Sequence, residues 1–253
     1  MKIKETSLFG LIAIYFCFVV NSCSAETINI AVAANFTDAA KEIAKLFNEK
    51  SAHEAILSFG ASGQFYTQIK EGAPFQVFLS ADEERPRKLI EEGLGVRGSE
   101  FTYAIGKLVL WSKKPGLVRN EGVLQKGDFS RLAIANPASA PYGAAAIEVM
   151  KALNVYDALQ PKIVQGNKIT QAFQFIDTEN AELGFIAQSQ IIDRKYNSGW
   201  QVPQKLYSEI RQDAVLLKNG ENNEGAKAFL VFLNGTMARD IIKKFGYYVA
   251  NRS

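Results

Sequence analysis

The chain has 253 residues, 47% of them hydrophobic and 22% charged, with 29 basic and 26 acidic side chains and a formal net charge of +3. These values exclude a disordered, collagenous or coiled-coil chain, and with no basic run interleaved with aromatics they argue against nucleic-acid binding. The length is more than one core comfortably supports, so two lobes are expected.

Residues 1–25 stand apart. Lys2 and Lys4 precede an apolar run, Leu8 to Val20, broken only by Gly10, and Cys23-Ser24-Ala25 offers a small-x-small cleavage site before Glu26. This is the layout of a secretory signal. The run is short for a membrane span and lacks a basic stop on its far side, so export is expected over anchoring. Val20-Asn21-Ser22-Cys23 loosely resembles a lipoprotein box, which would retain Cys23 as a lipidated first residue. Asn21 fits that box poorly, and cleavage after Ala25 is preferred. Both cysteines, Cys17 and Cys23, lie in the leader, so residues 26–253 hold no disulfide, thiolate metal site or cysteine nucleophile. They carry 27 basic and 25 acidic residues, a charge of +2.

Strand and helix patterns then alternate, which predicts an α/β fold with mainly parallel sheets. A strand over 28–33 leads into a helix reaching about Glu49, with Ala40, Ile43, Ala44 and Phe47 at core spacing. Strands follow at 55–59 and 77–80, and helices at 64–70 and 83–92. Residues 103–111 read as one extended run interrupted by Gly106 and closed by the turn signal Ser112-Lys113-Lys114-Pro115-Gly116. The crossing into a second lobe falls on this stretch. The second lobe repeats the alternation, with strands at 132–135, 163–165 and 183–186 and helices at 143–153 and 170–176. A further extended run, 214–217, and helices at 224–233 and 236–244 return to the first lobe. The division drawn is 26–105 with 213–253 as lobe I and 106–212 as lobe II.

Four uncharged or nearly uncharged small-residue loops each end an extended segment and open a helix. They are Ala33-Ala34-Asn35-Phe36-Thr37, Gly60-Ala61-Ser62-Gly63-Gln64, Pro141-Tyr142-Gly143-Ala144 and Gly166-Asn167-Lys168-Ile169-Thr170. Uncovered N–H groups and the positive end of the helix dipole make such places ready anion sites. Asn35, with Asp38 three residues on, and Ser62 also read as plain N-caps. Their position at the C-terminal ends of two strands of one sheet favours convergence on a ligand. Tyr142 opens a helix start rich in small residues, and Ile169 offers its backbone N–H or simply packs in the core. Lys168 reads as a solvated lysine outside the site. His53, the one histidine, reads as an exposed loop residue and supports neither a triad nor a zinc cage. Gly60-Ala61-Ser62-Gly63 superficially suggests a nucleophile elbow, but G-x-S-x-G requires glycine where Gln64 stands. No Walker loop, G-x-G-x-x-G or H-E-x-x-H occurs.

Taken together, these loops and several further stretches resemble the periplasmic molybdate/tungstate-binding proteins, the solute receptors of molybdate ABC importers. The resemblance is carried by Ile30 to Thr37, Ser58 to Gly63, Gly72-Ala73-Pro74 and Val77-Phe78-Leu79-Ser80-Ala81-Asp82. Ala135-Asn136-Pro137 through Gly143, Glu182-Leu183-Gly184 and Phe245-Gly246-Tyr247 extend it over the whole chain after the leader. It implies two hinge-joined lobes of the type II periplasmic-binding-protein fold, closing on a tetrahedral oxyanion. By position it implies Asn35 and Ser62 as ligands from one lobe, with the N–H of Ala34, and Tyr142 and Ile169 from the other. The chain departs from one common pattern at Asn35, where serine is frequent, and at Ala187, where tyrosine is frequent.

The resemblance further implies a monomeric periplasmic receptor with no cofactor, holding molybdate or tungstate through its oxo groups and delivering it to an inner-membrane ABC permease. Hydrogen bonds to an ionised acceptor contribute about 1.5–3 kcal/mol each, so several fixed donors suffice without a countercharge. An amino-acid receptor of the same fold would place arginine in these loops, and none is there. A secreted hydrolase using Ser62 is the enzymatic alternative, and no enzyme is expected.

Overall fold

The computed structural model describes residues 25–192, 194 and 198–249. Of the expected leader only Ala25 falls among them, so the signal and the cysteines lie outside the described residues. No helix among the described residues is long and apolar enough to cross a membrane.

Two five-stranded mixed sheets flanked by helices make up the fold. In the first, β1 (Thr27–Ala33) leads through a single 3-10 turn, Ala34–Phe36, into α1 (Thr37–Lys50). Then come β2 (Glu54–Gly60), α2 (Ser62–Lys70), β3 (Val77–Leu79), α3 (Glu84–Glu91) and β4 (Phe101–Gly106). The chain crosses at Lys107 into β5 (Leu108–Trp111), followed by α4 (Gly122–Lys126) and β6 (Leu132–Ala135). The second sheet continues with α5 (Pro141–Ala152), α6 (Tyr156–Leu159), β7 (Ile163–Gly166), α7 (Ile169–Asp177), β8 (Leu183–Ala187) and β9 (Gly199–Gln201). Finally β10 (Ile210–Leu216) re-enters the first sheet before α8 (Glu224–Leu233) and α9 (Thr236–Lys244).

The strand orders are β2-β1-β3-β10-β4 and β7-β6-β8-β5-β9. β1, β2 and β3 are mutually parallel and β10 runs against both β3 and β4. In the same way β6, β7 and β8 are parallel and β5 runs against β8 and β9. In each sheet the reversed strand is the one that enters directly from the other sheet. The extended run read over 103–111 is thus two strands of different sheets: both halves are apolar, and a change of sheet leaves no mark on hydrophobic pattern. The extended run placed at 214–217 likewise begins earlier, at Ile210, because Arg211, Gln212 and Asp213 hide the strand's apolar face. At Gln212/Asp213 the register with β4 shifts, Tyr103 of β4 being passed over, while Gln212 stays on the buried face with Ile210 and Ala214 by ordinary alternation.

Core packing follows the periodicity. Ala40, Ile43, Ala44 and Phe47 of α1 are buried with Ile28, Ile30 and Val32 of β1 and with Phe229 and Ile242 of the last two helices. A second cluster under the other sheet joins Leu108, Val109 and Leu110 to Leu132, Ile134, Val149 and Phe185, and takes in Ala33, Ala34, Ala61 and Ala81 from the first sheet's strand ends. Small residues at that seam let the two sheets' edges come close. His53 is buried, not the exposed loop residue expected: its ring stacks on Phe47 at 6.4 Å between centroids and its Nδ1 accepts from the N–H of Glu26 at 3.3 Å.

The start of α5 shows how tightly the strand ends are packed. A Cβ added at Gly143 would lie 2.2 Å from the carbonyl oxygen of Ala135. Alanine in a helix gains about 0.5–1 kcal/mol over glycine, but overpacking against rigid backbone costs about 1–3 kcal/mol. Gly143→Ala is therefore expected to be a net destabilisation, read as a lower urea midpoint at unchanged slope.

Candidate functional site: an uncharged cavity between the sheets

The four loops of the sequence meet at one place. Ala33, Ala34, Asn35, Gly60, Ala61, Ser62 and Ala81 face Ala140, Pro141, Tyr142 and Ile169 around a cavity of about 10 Å³. All five predicted site residues, Ala34, Asn35, Ser62, Tyr142 and Ile169, line it, and all are buried. The volume is far below the roughly 300–1,000 Å³ of pockets for drug-sized molecules, so the site suits a compact group. Its lining holds no carboxylate, ammonium, guanidinium or imidazole. The larger groove beside it, about 340 Å³, is a poor place for an anion: Asp82, Glu83, Glu84, Glu148 and Glu209 line it against Arg85 and Arg211.

Helix starts supply the donors. Ser62 and Ile169 are the first residues of α2 and α7, Tyr142 the second of α5, and Ala34 and Asn35 the first two of the 3-10 turn. N–H groups at these positions have no acceptor within their own helix. None of the four helices has a side-chain N-cap, whereas α8 is capped by Asn223, whose Oδ1 accepts from the N–H of Ala226 at 2.7 Å. The plain-capping reading of Asn35 and Ser62 fails for this reason: Ser62 is the first residue of α2, one place past the cap position, and Asn35 is the second of the 3-10 turn, two places past its cap and one before that of α1.

What their side chains do instead is informative. Ser62 Oγ accepts from the N–H of Ala81 at 2.9 Å, and its own proton has no acceptor among the described residues. Tyr142 Oη accepts from Gln212 Nε2 at 3.3 Å, and its proton too is without an acceptor there. Asn35 differs. Its Nδ2 donates to Gln212 Oε1 at 2.9 Å and to Tyr247 Oη at 3.1 Å, so both amide protons are spent inside the protein. Its carbonyl accepts from Tyr247 Oη at 2.7 Å and from Ser189 Oγ at 2.9 Å. Tyr103 Oη donates to the carbonyl of Ser80 at 2.9 Å and stands 3.1 Å from Gln212 Oε1. Burial pushes the phenols of Tyr142, Tyr103 and Tyr247 above their ordinary value, so all three stay protonated donors.

Sequence reasoning missed Gln212, Tyr103 and Ser189 altogether. A glutamine among the polar residues that open an otherwise apolar strand was the one available signal for Gln212. Lys168, left out of the site, does not line the cavity; its Nζ reaches across to the carbonyl of Phe59 at 3.4 Å. Two more bonds bridge the sheets' loops, from the N–H of Gly63 to Ser139 O at 2.9 Å and from Arg85 Nη2 to Ala138 O at 3.1 Å. His53 precedes β2 and Ser62 follows it. The seven residues of β2 between them, at about 3.3 Å each, put the two positions about 20 Å apart at opposite ends of the strand, too far for a nucleophile and its base.

A profile of the family described as bacterial extracellular solute-binding protein matches residues 28–248. The chain belongs to that family. It is 58% identical to the molybdate-binding protein ModA of Rhodobacter capsulatus over 217 residues, 86% of each chain. With the ModA of Azotobacter vinelandii it shares 52% over 232 residues, 89% of this chain and 92% of that one. Among solved structures it superposes on the periplasmic molybdate-binding protein of Azotobacter vinelandii with a TM-score of 0.85 at 41% identity, covering 88% of this chain and all of the other. The two-lobed type II architecture that the resemblance implied is thus the fold observed.

Removing the Ser62 hydroxyl strands a buried N–H. Ser62→Ala is expected to lower stability in the absence of any oxyanion by about 1–3 kcal/mol, the usual cost of an unpaired buried donor. Denaturant unfolding of the two proteins checks this.

Proposed function

We propose that this chain captures molybdate, and tungstate with it, in the cavity between its lobes and delivers the ion to an ABC permease. The observation that carries the reading is the pair of buried hydroxyl protons, on Ser62 and Tyr142, that point to no acceptor of the protein and border one small uncharged cavity. A buried donor without a partner is costly, so the arrangement calls for a ligand that only accepts. A tetrahedral oxyanion does so with every oxygen. The N–H groups of Ala34, Asn35, Ser62, Tyr142 and Ile169 add the partial positive charge of helix starts. Since the Asn35 amide is engaged with Gln212 and Tyr247, we assign Asn35 a contribution through its backbone N–H.

Size then sets selectivity. Donors held on four helix starts and two packed hydroxyls cannot follow a smaller ion inward, so sulfate would reach fewer of them at once than molybdate or tungstate. Ligand favours the closed arrangement by the difference between its interactions with closed and open forms. The lobe built on the first sheet, which takes the chain back at Ile210, and the lobe built on the second sheet each contribute donors, and closure is the signal we expect a permease to read. No group in the site is arranged to make or break a bond, and the relatives are transport receptors, which supports a binding role without catalysis for a monomeric periplasmic protein.

Titration calorimetry of residues 26–253 is expected to give one-to-one binding of molybdate and tungstate and none of sulfate or phosphate at comparable concentrations. Heat from sulfate or phosphate alone would leave the fold and replace the ligand. Tyr142→Phe should weaken molybdate about ten-fold or more, one hydrogen bond to an ion being involved. Because burial raises the Tyr142 phenol above about 10, the ordinary tyrosine value, the proton on which binding depends is retained up to that pH. The ratio of wild-type to Tyr142→Phe affinity should therefore hold steady from neutral pH to about 10; a fall within that range would show the phenol ionising early.

A further inference from the structure

We infer that Gln212 is the positioning residue of this site: it fixes the direction of the hydrogen bonds at Tyr142 and Asn35 so that the phenol presents its proton to the bound oxyanion. The inference rests on the oxyanion reading above and concerns a residue outside the cavity lining.

Gln212 is fully buried, and ordinary strand alternation puts it on the same face of β10 as Ile210 and Ala214. Its amide has one accepting and one donating end, and both are used. Oε1 takes a proton from Asn35 Nδ2 at 2.9 Å and faces Tyr103 Oη at 3.1 Å. Nε2 faces Tyr142 Oη at 3.3 Å. An amide nitrogen does not accept, so this contact runs one way, from Gln212 to the phenol oxygen. Tyr142 is thereby denied an acceptor inside the protein, and its single proton is left for the ligand. A glutamine turned end for end would bring its NH2 against the NH2 of Asn35. Both amides would then have to turn together, and Gln212 Oε1 would consume the Tyr142 proton. The direction is held from outside as well. Asn35 gives its other amide proton to Tyr247, whose own proton goes to the Asn35 carbonyl or Ser189 Oγ. Gly106 makes the contact possible, since a Cβ there would lie 2.1 Å from Tyr142 Oη and 2.7 Å from Gln212 Nε2.

A double-mutant cycle on molybdate affinity tests this. The proteins are wild type, Gln212→Leu, Tyr142→Phe and the double variant, all titrated by calorimetry. Each single variant is expected to bind about ten-fold or more weakly, and the double variant no more weakly than the poorer single one within about two-fold, because Gln212→Leu misdirects the same donated proton that Tyr142→Phe removes. Losses that multiply would overturn the inference, as would a Tyr142→Phe protein that binds like wild type, the result for the turned amides. Wild type failing to bind molybdate would instead sink the ligand assignment, so the two failures are distinct.

A second variant guards against misfolding of Gln212→Leu. In Gln212→Glu the carboxylate accepts the Tyr142 proton and sets negative charge behind the site. Binding relative to wild type at the same pH should be lost at neutrality and recover as acid restores a proton to Glu. The titratable groups about position 212 are the buried Tyr103, Tyr142 and Tyr247, and Asp213, which accepts from Thr102 Oγ1 at 2.6 Å. All are common to both proteins and cancel in the ratio. A ratio independent of pH would overturn the inference.

Discussion

Everything at this site depends on protons that the protein declines to use. An ion that only accepts hydrogen bonds can be held without a countercharge only if the donors around it have no better partner. In most buried environments the opposite is arranged, each donor being matched to an internal acceptor. Here Ser62 and Tyr142 are supplied with hydrogen bonds to their oxygens, from Ala81 N–H and Gln212 Nε2, and with none from their protons. The uncapped helix starts apply the same rule to the backbone. Charge is kept at a distance: carboxylates line the neighbouring groove, and Lys168 bonds to a carbonyl outside the lining. A fixed lysine or arginine in the cavity would strengthen attraction to every anion alike, whereas a shell of neutral donors discriminates by geometry.

Much of this was legible in the sequence because it is local. A small-residue break directly after an apolar run marks a strand that ends where a helix begins, and four such breaks located the lining residues without knowledge of how the sheets meet. Asn35 shows where local reading stops. Its type and spacing suit an N-cap, yet the 3-10 turn shifts it inside the helical segment, and its amide serves a network with partners 177 and 212 positions away. Gln212 was invisible for the same reason, as its partners Asn35 and Tyr142 lie 177 and 70 positions away. His53 was misread because the sequence around it is polar while its ring is covered by Phe47 and the turn at Gly225.

The two chain crossings lie close to this network. β4 ends at Gly106 against Tyr142 and Gln212, and the first residue of β5, Leu108, donates its N–H to Tyr207 Oη at 3.2 Å, just before the chain returns into β10. Gln212, which bonds Tyr142 and Asn35, therefore sits on one of the strands that join the two sheets. Gln212 and Tyr142 belong to different sheets, so their contact exists only while the two sheets' ends stay together.

The cross-lobe bonds from Gly63, Arg85 and Lys168 have a consequence for unloading. All three end on backbone carbonyls of the opposite lobe, at Ser139, Ala138 and Phe59, and none involves the cavity. They hold whether or not cargo is inside, so part of the cohesion of the shut state is indifferent to occupancy. Separating the two sides of the receptor costs these bonds in addition to any made with the ion, so release is not simply the reverse of capture. Whatever empties it must prise apart protein from protein as well as protein from ion, and the carbonyls freed at the rim are then open to donors on that partner.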